Sequence, residues 1–409
     1  MSNLLFGRHA KQLRDTQLQV LLLAGITAPL AVSLISPIFD ALIDPFGASP
    51  SSIGLLVSAY TAPALVMIPL TGILSDRYGR KPILIVGLLL FGTAGAVISV
   101  VTEFWMALLL RGLQGVGSAG ISPIVITSIG DLYSDAEAAT GQGLRIGAVG
   151  AAQAVFPVLA AAVVILSWRL PFLLYGMAIP IAVIIYFQFE EPSSVDTNST
   201  GQTRSYRKEL FRLAIRPTVF LILLAYTGPI FLYFGFQAYV SVHVVRVLEG
   251  TPRGAGMIIA LFSIVYAIAA TQSGRLAERF AGQYRPLIGS NVIMSGGLAG
   301  IAFAPTILSA SLAGAIFAIG YGLTSSFYRS ILPGFAPPSL RGGLVSTAET
   351  LGRLGATVSP IAMGVIIDVL TPVLGFGETI RWTIFGLGVS AGLLGVILVS
   401  IAAYIDSGD

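Results

Sequence analysis

Apolar residues run along this chain in long blocks broken by short polar connections. The blocks begin at about Leu18, Ser51, Ile83, Phe104, Gly143 and Leu170, and again at about Pro217, Gly254, Arg285, Thr306, Gly343 and Arg381. A helix needs about 20 apolar residues to cross a bilayer core, and these blocks have that length. Inside lipid every backbone polar group must find a partner in the protein, so such blocks predict α-helices. The pattern therefore predicts an all-α integral membrane protein with 12 transmembrane helices. The first block, Leu18 to Ile43, is longer than the apolar region of a signal peptide and no small-residue cleavage site follows it. It reads as an uncleaved first span.

Composition sharpens this picture. Of 409 residues, 55% are hydrophobic and only 10% charged, whereas a soluble domain carries about 25% charge. The 47 Gly and 22 Pro are tolerated in membrane helices, where neighbours re-satisfy freed backbone groups and small residues allow close packing. There is no cysteine, and the two histidines, His9 and His243, are far apart. Disulfides and thiolate metal sites are excluded, and no metal site is expected. The net charge of +4 comes from loop arginines and gives no reason to expect a nucleic-acid partner. Of the 23 Lys and Arg, Arg169, Arg246, Arg253 and Arg381 fall on one side of the predicted spans and Arg111 and Arg353 within them. All others fall on the side of the N-terminus. The positive-inside rule then places both termini in the cytoplasm, with the lipid bilayer of the cell membrane as the expected surroundings.

The longest polar stretch divides the chain into residues 1–189, a linker at 190–216, and residues 217–409. Within the linker, Tyr206, Leu210 and Leu213 recur at i, i+4 and i+7 beside Arg207, Lys208 and Arg212. This reads either as an amphipathic helix on the cytoplasmic membrane face or as a plain tether. The two long parts also repeat one another. Gly72-Ile-Leu-Ser-Asp-Arg-Tyr-Gly-Arg-Lys-Pro82 follows the second span, and Gly274-Arg-Leu-Ala-Glu-Arg-Phe-Ala-Gly-Gln-Tyr284 follows the eighth. Gly72 matches Gly274, Asp76 matches Glu278, Arg77 matches Arg279, and later Pro157 matches Pro360. Two pseudo-symmetric six-helix halves account for the repeat.

The segment Gly72–Pro82 fills every defined position of a motif of the major facilitator superfamily, and Arg111-Gly-Leu-Gln-Gly-Val-Gly117 is similar to a second one. The chain thus resembles that superfamily, most closely its 12-helix drug/proton antiporters. A basic cytoplasmic turn explains Arg77, Arg80 and Lys81 by orientation alone, but not Asp76, Gly72, Gly79 or the repeat. Gly72 allows close approach of a neighbouring helix, Gly79 permits a tight turn, and Asp76 suits the positive end of a helix dipole. The resemblance implies a gate: Asp76, Arg80 and Asp131 form a charge network, with Glu278 and Arg279 as its degenerate copy.

Ionisable residues inside spans are functional candidates, because burying a charge is costly. The resemblance implies a proton-coupling role for Arg111, with Asp40 in the first span as its candidate partner. Alternatively, Asp40 lies at the outer interface and meets water. Glu349 and Arg353, at i, i+4 spacing, suit a structural pair on one helix face; Glu349 is also a candidate gate residue with Asp76 or a proton carrier. His243, near the outer end of the seventh span, reads as a solvated loop histidine.

Candidate cavity residues are Tyr60, Gln114, Gln153, Tyr226, Tyr233, Gln272 and Tyr321. Such an apolar site with sparse hydrogen-bonding groups suits amphipathic molecules better than sugars; equally, aromatic residues can anchor at lipid interfaces. One feature of the antiporter group is weakened. Its Gly-rich signature in the fifth span is represented by Ala152-Gln-Ala-Val-Phe-Pro157-Val-Leu-Ala-Ala161, in which Phe156 replaces a glycine. This departure counts against antiport. No phosphate-binding Gly-x-x-x-x-Gly-Lys-Ser/Thr loop and no His-Glu-x-x-His is present, so neither an ATP-driven pump nor an enzyme is expected. The expectation is a cofactor-free monomer that uses a proton gradient to export small amphipathic molecules. Uptake of a small metabolite, and a non-transporting sensor on a transporter fold, are the alternatives.

Overall fold

The computed structural model describes residues 15–191, 203–280 and 282–406. Arg8, His9, Lys11, Arg14 and residues 192–202 of the linker lie outside the described residues. Regular structure among the described residues is entirely helical. Contacts divide the chain into two units. One comprises Met1–Ala48 and Ala59–Asn198, the other Ser49–Ser58 and Ser199–Asp409.

In the first unit the spans are broken into pieces. The first is α1 (Thr16–Gly25), α2 (Thr27–Ser33), a 3₁₀ turn at Ser36–Ile38 and α3 (Phe39–Ile43). The second is α4 (Leu55–Thr61), whose residues through Ser58 group with the second unit, and α5 (Ala64–Tyr78), and the third is α6 (Arg80–Val97). Then come α7 (Phe104–Ala119) with α8 (Ser122–Leu132), α9 (Asp135–Val163), and α10 (Leu170–Leu173) with α11 (Ala178–Gln188). Three of the breaks have a local cause. Pro37, Pro63 and Pro123 lack the N–H that a continuing helix would use, and Gly120 weakens the helix just before Pro123. α9 starts at Asp135 rather than near Gly143, because its polar first turns are helical too.

The second unit has longer helices. They are α12 (Thr203–Ala214), α13 (Pro217–Arg246), α14 (Pro252–Ala270), α15 (Ser273–Arg279), α16 (Tyr284–Ala302), α17 (Ile307–Ile331), α18 (Arg341–Leu374) and α19 (Phe376–Asp406). Pro229, Pro360 and Pro372 sit inside α13 and α18 without ending them. Eleven helical segments among the described residues are long and apolar enough to span a membrane. The expected ninth span, α16, has 19 residues but carries Arg285, Ser290, Asn291 and Ser295, so it is more polar than the rest.

The linker's amphipathic stretch is helical, but its apolar face does not lie open for lipid. Leu213 is buried and Tyr206 and Leu210 pack on the core of the second unit around Leu344. A Cβ on Gly343 would strike the Tyr206 hydroxyl and Leu210. Phe211 and Ile215 stay exposed.

Small residues set the closest helix contacts. A Cβ on Gly297 of α16 would run into the backbone of Phe317 on α17. One on Gly320 of α17 would run into the backbone of Met294. The two helices thus touch backbone to backbone, and the Thr324 hydroxyl donates to the Ser290 hydroxyl across them at 2.8 Å. In the first unit Gly87 on α6 and Gly117 on α7 meet in the same way.

Candidate functional site

The turn at Gly72–Pro82 is held by charge. α5 ends at Tyr78, and Gly79 adopts φ 95°, a conformation that strongly favours glycine. Arg80 folds back from the start of α6. Its Nη1 donates to Asp76 Oδ1 at 2.8 Å and to Ser75 Oγ at 2.6 Å, and its Nε donates to Asp131 Oδ2 at 3.2 Å. One guanidinium therefore joins the ends of α5, α6 and α8. Sequence reading missed the fourth member. Glu191, just past α11, accepts the backbone N–H of Arg80 and, at 2.8 Å, that of Lys81. These are among the N–H groups a helix start leaves unpaired, and a carboxylate there also meets the positive end of the helix dipole. The Glu191 carboxyl crowds the open side of Gly79, where any Cβ would collide with it. Because this is an exposed cap, Glu191→Ala should lower stability by about 1 kcal/mol. A fall in the thermal midpoint of the detergent-solubilised protein would read this out; an unchanged midpoint would deny the cap its role.

Other parts of the motif behave differently. Arg77 and Lys81 lie over the rings of Tyr78 and Tyr186, at 5.3 Å and 5.8 Å. Gly72 does not mediate a close approach: a Cβ there would meet open space. In the second unit, Glu278 and Arg279 are exposed on α15 and make no ion pair among the described residues. The reason is in the sequence, since the position matching Arg80 is Gly282. Beside the turn, Asp15 caps α1 through the Gln17 N–H at 2.9 Å and accepts the Tyr133 hydroxyl at 2.6 Å. Burial first, and then this bond, push the Tyr133 phenol well above its ordinary range.

Arg111 is fully buried in the first unit. Its Nη2 donates to the Ala31 carbonyl at 2.7 Å and its Nη1 to Gln114 Oε1. The guanidinium lies 5.0 Å from the Tyr60 ring centre and 5.9 Å from that of Tyr175. Ala31 belongs to the last turn of α2, where helix carbonyls lack intrahelical partners; Tyr175 also donates to it, at 2.8 Å. Tyr60 donates to the Ala28 carbonyl at 2.9 Å. Gln114 is completely buried, so it orients Arg111 and does not line an open cavity. The glycines of this motif have packing duties: a Cβ on Gly115 would overlap the Tyr60 carbonyl. Asp40 is half-buried on α3, nine residues past Ala31 or roughly 13 Å at helical rise.

The second unit gathers a second constellation. The Tyr233 and Tyr321 rings stack at 4.9 Å with an interplanar angle of 10°. Tyr266 lies 5.3 Å from Tyr321, and Phe262 packs 5.5 Å from Tyr233. Gln237 donates to the Tyr233 hydroxyl at 2.9 Å. At the end of this wall Tyr226 donates to Glu349 Oε1 at 2.7 Å, so Glu349 does not pair with Arg353 as expected. Its cationic neighbour is Arg329, which lies beside Tyr226 and within electrostatic reach of Tyr266 and Tyr321. Arg329 was missed because it stands at the end of an apolar run and counts there as an orienting charge.

The remaining candidates are scattered. Gln153 is half-buried on α9. Gln272 is engaged locally, donating to Thr271 at 2.8 Å and accepting from Arg275 at 3.0 Å. His243 is not a solvated loop residue. It is fully buried, with Nε2 3.1 Å from the Ile301 carbonyl, because α13 continues through it to Arg246. Between α13, α16, α18 and α19 lies a small apolar pocket of about 20 Å³, lined by Phe231, Phe236, Tyr239, Met363 and Ser359 among others.

Known proteins share this architecture. A bacterial homologue of the human lysosomal transporter Spinster aligns with a TM-score of 0.82 at 17% identity, over 94% of this chain and 96% of that one. Multidrug resistance protein 2 of Bacillus subtilis is 25% identical over 386 residues, 89% of this chain and 94% of its own. The bacillibactin exporter of Bacillus subtilis is 34% identical over 147 residues, a match that covers only 34% of this chain and 37% of that protein. The sequence profile of the Major Facilitator Superfamily matches residues 21–252, more than half of the chain. With a multi-pass helical fold, two units and the Asp76–Arg80–Asp131 turn, the chain belongs to the major facilitator superfamily.

Proposed function

We propose that the protein is a proton-coupled exporter of small hydrophobic or amphipathic molecules, working by alternating access in the cell membrane with both termini cytoplasmic. The observation that carries the efflux reading is the likeness to a multidrug resistance protein along nearly the whole of both chains. The stacked tyrosines of the second unit, with few hydrogen-bonding groups among them, support an amphipathic substrate. The charged turn at Asp76, Arg80 and Asp131 supplies a latch whose ion pairs can open and re-form as the transporter cycles. Asp40 and Arg111 are its proposed coupling groups, and the proton gradient replaces any cofactor. Phe156, in place of the glycine found in antiporters, favours a second reading: proton-linked uptake of a small metabolite.

Proteoliposomes carrying a trapped pH dye separate these readings. Addition of lipophilic cations, sugars, amino acids and carboxylates in turn should move protons opposite to a lipophilic substrate, and Asp40→Asn should abolish the movement. Protons travelling together with a polar metabolite, unaffected by Asp40→Asn, would establish uptake and remove Asp40 from the mechanism.

A further inference from the structure

The constellation in the second unit has a chemistry of its own. Tyr226 on α13, Tyr266 on α14 and Tyr321 on α17 lie within electrostatic reach of one cation, Arg329; Tyr226 also bonds one anion, Glu349, and Tyr233 on α13 joins them by stacking on Tyr321. Tyr321 and Arg329 stand eight residues apart on α17, so they share a helix face. Tyr233, Tyr266 and Tyr321 are each partly exposed, and Arg329 is exposed near the end of α17. Glu349 is half-buried and already accepts the Tyr226 hydroxyl. The accessible charge is therefore the positive one. A guanidinium has five N–H donors in a planar fork matched to carboxylates, and the single carboxylate near it is shared with Tyr226.

We propose that Arg329, with the stacked rings of Tyr233, Tyr266 and Tyr321, forms a binding site for a planar aromatic molecule bearing a carboxylate. The ring of the ligand packs on the tyrosine wall, where aromatic contacts contribute beyond area alone. Its carboxylate takes the Arg329 fork. Glu349, within electrostatic reach of Arg329 but not ion-paired with it, competes with the ligand for that charge. Tyr226 holds Glu349 in place for that competition. This names a substrate class for the exporter and rests on that reading for its biological meaning, but binding itself is independent of transport.

The test uses three probes with one ring system: 2-naphthoate, neutral 2-naphthylmethanol and cationic 2-naphthylmethylammonium. Equilibrium dialysis against the full-length protein in nanodiscs gives each affinity. The expected order is naphthoate tightest, by about tenfold over the alcohol, with the ammonium weakest. Arg329→Gln should weaken naphthoate about tenfold while leaving the alcohol within twofold. Arg329→Lys, which keeps the charge but not the fork, should fall between. Glu349→Gln should tighten naphthoate several-fold, the opposite of what loss of a merely structural residue would do. Equal binding of naphthoate and alcohol, tighter binding of the ammonium, naphthoate affinity unchanged by Arg329→Gln, weaker naphthoate binding in Glu349→Gln, or no binding of any probe would overturn the proposal. Proton-coupled export of another lipophilic compound by the same preparation would then leave the transporter reading standing without this site.

Discussion

Arg111→Ala should be among the most damaging single changes in the molecule, costing about 3 kcal/mol or more and abolishing transport. The change leaves the Gln114 amide oxygen without its donor in a fully buried place. An unpaired buried polar group alone costs about 1–3 kcal/mol. The truncation also removes the cation from between the Tyr60 and Tyr175 rings and leaves a void that their packing cannot close. Arg111→Lys should recover part of the stability but little of the transport, because an ammonium cannot bridge Ala31 and Gln114 in one plane. Tyr175→Phe should be mild, near 1 kcal/mol, since Arg111 still donates to the Ala31 carbonyl when Tyr175 no longer does. Thermal unfolding in detergent, paired with flux in proteoliposomes, reads all three. A wild-type melting point and flux in Arg111→Ala would mean that this centre neither holds the unit together nor serves transport.

Two adjacent glycines in α16 should behave as opposites. Gly297→Ala places a methyl group against the backbone of Phe317, where no flexible side chain can yield. α16 and α17 must separate, and the Ser290–Thr324 hydrogen bond stretches with them. Overpacking of this kind costs about 1–3 kcal/mol. Gly296 faces open space, so Gly296→Ala should be neutral, or stabilising by up to about 1 kcal/mol as alanine replaces the more flexible residue. The comparison holds helix, depth and chemistry fixed and varies only which side of α16 receives the methyl. Equal melting points for the two variants would remove close backbone contact as the feature that holds these helices together.

Much of the architecture was legible in the sequence because lipid leaves the backbone few choices. Apolar runs of spanning length become helices, and their starts at Phe104, Leu170 and Pro217 coincide with helix starts. The turn at Gly72–Pro82 was legible for a different reason: its glycine, acid and arginines have fixed spacing, and the whole cluster closes within a short distance along the chain, Asp131 and Glu191 apart. What escaped were partnerships set by tertiary geometry. Glu191 caps a helix more than a hundred residues earlier in the chain, and no local pattern announces that. Glu349 and Arg353 have ideal spacing for a helical pair, but the Tyr226 hydroxyl reaches Glu349 from another helix. His243 followed an apolar run that proved longer than its polar end suggested. Sequence distance to a span end was a poor guide to depth in each of these last cases, because helices α13 and α17 extend beyond the apolar blocks that revealed them.

The polarity of α16 has a consequence for how the chain is made. A segment carrying Arg285, Ser290, Asn291 and Ser295 partitions weakly into lipid by itself, since each polar side chain adds to the cost of leaving water. Ser290 and Asn291 donate to the Leu287 carbonyl of their own helix, and the neighbouring helix adds to this: Thr324 of α17 bonds Ser290, and the backbone of α17 fills the groove beside Gly297. The ninth span is thus stabilised by a helix synthesised after it. Biogenesis of the second unit should then proceed by insertion of α16 and α17 as a pair, with the ribosome having passed Ile331 before either helix is securely lodged in the bilayer.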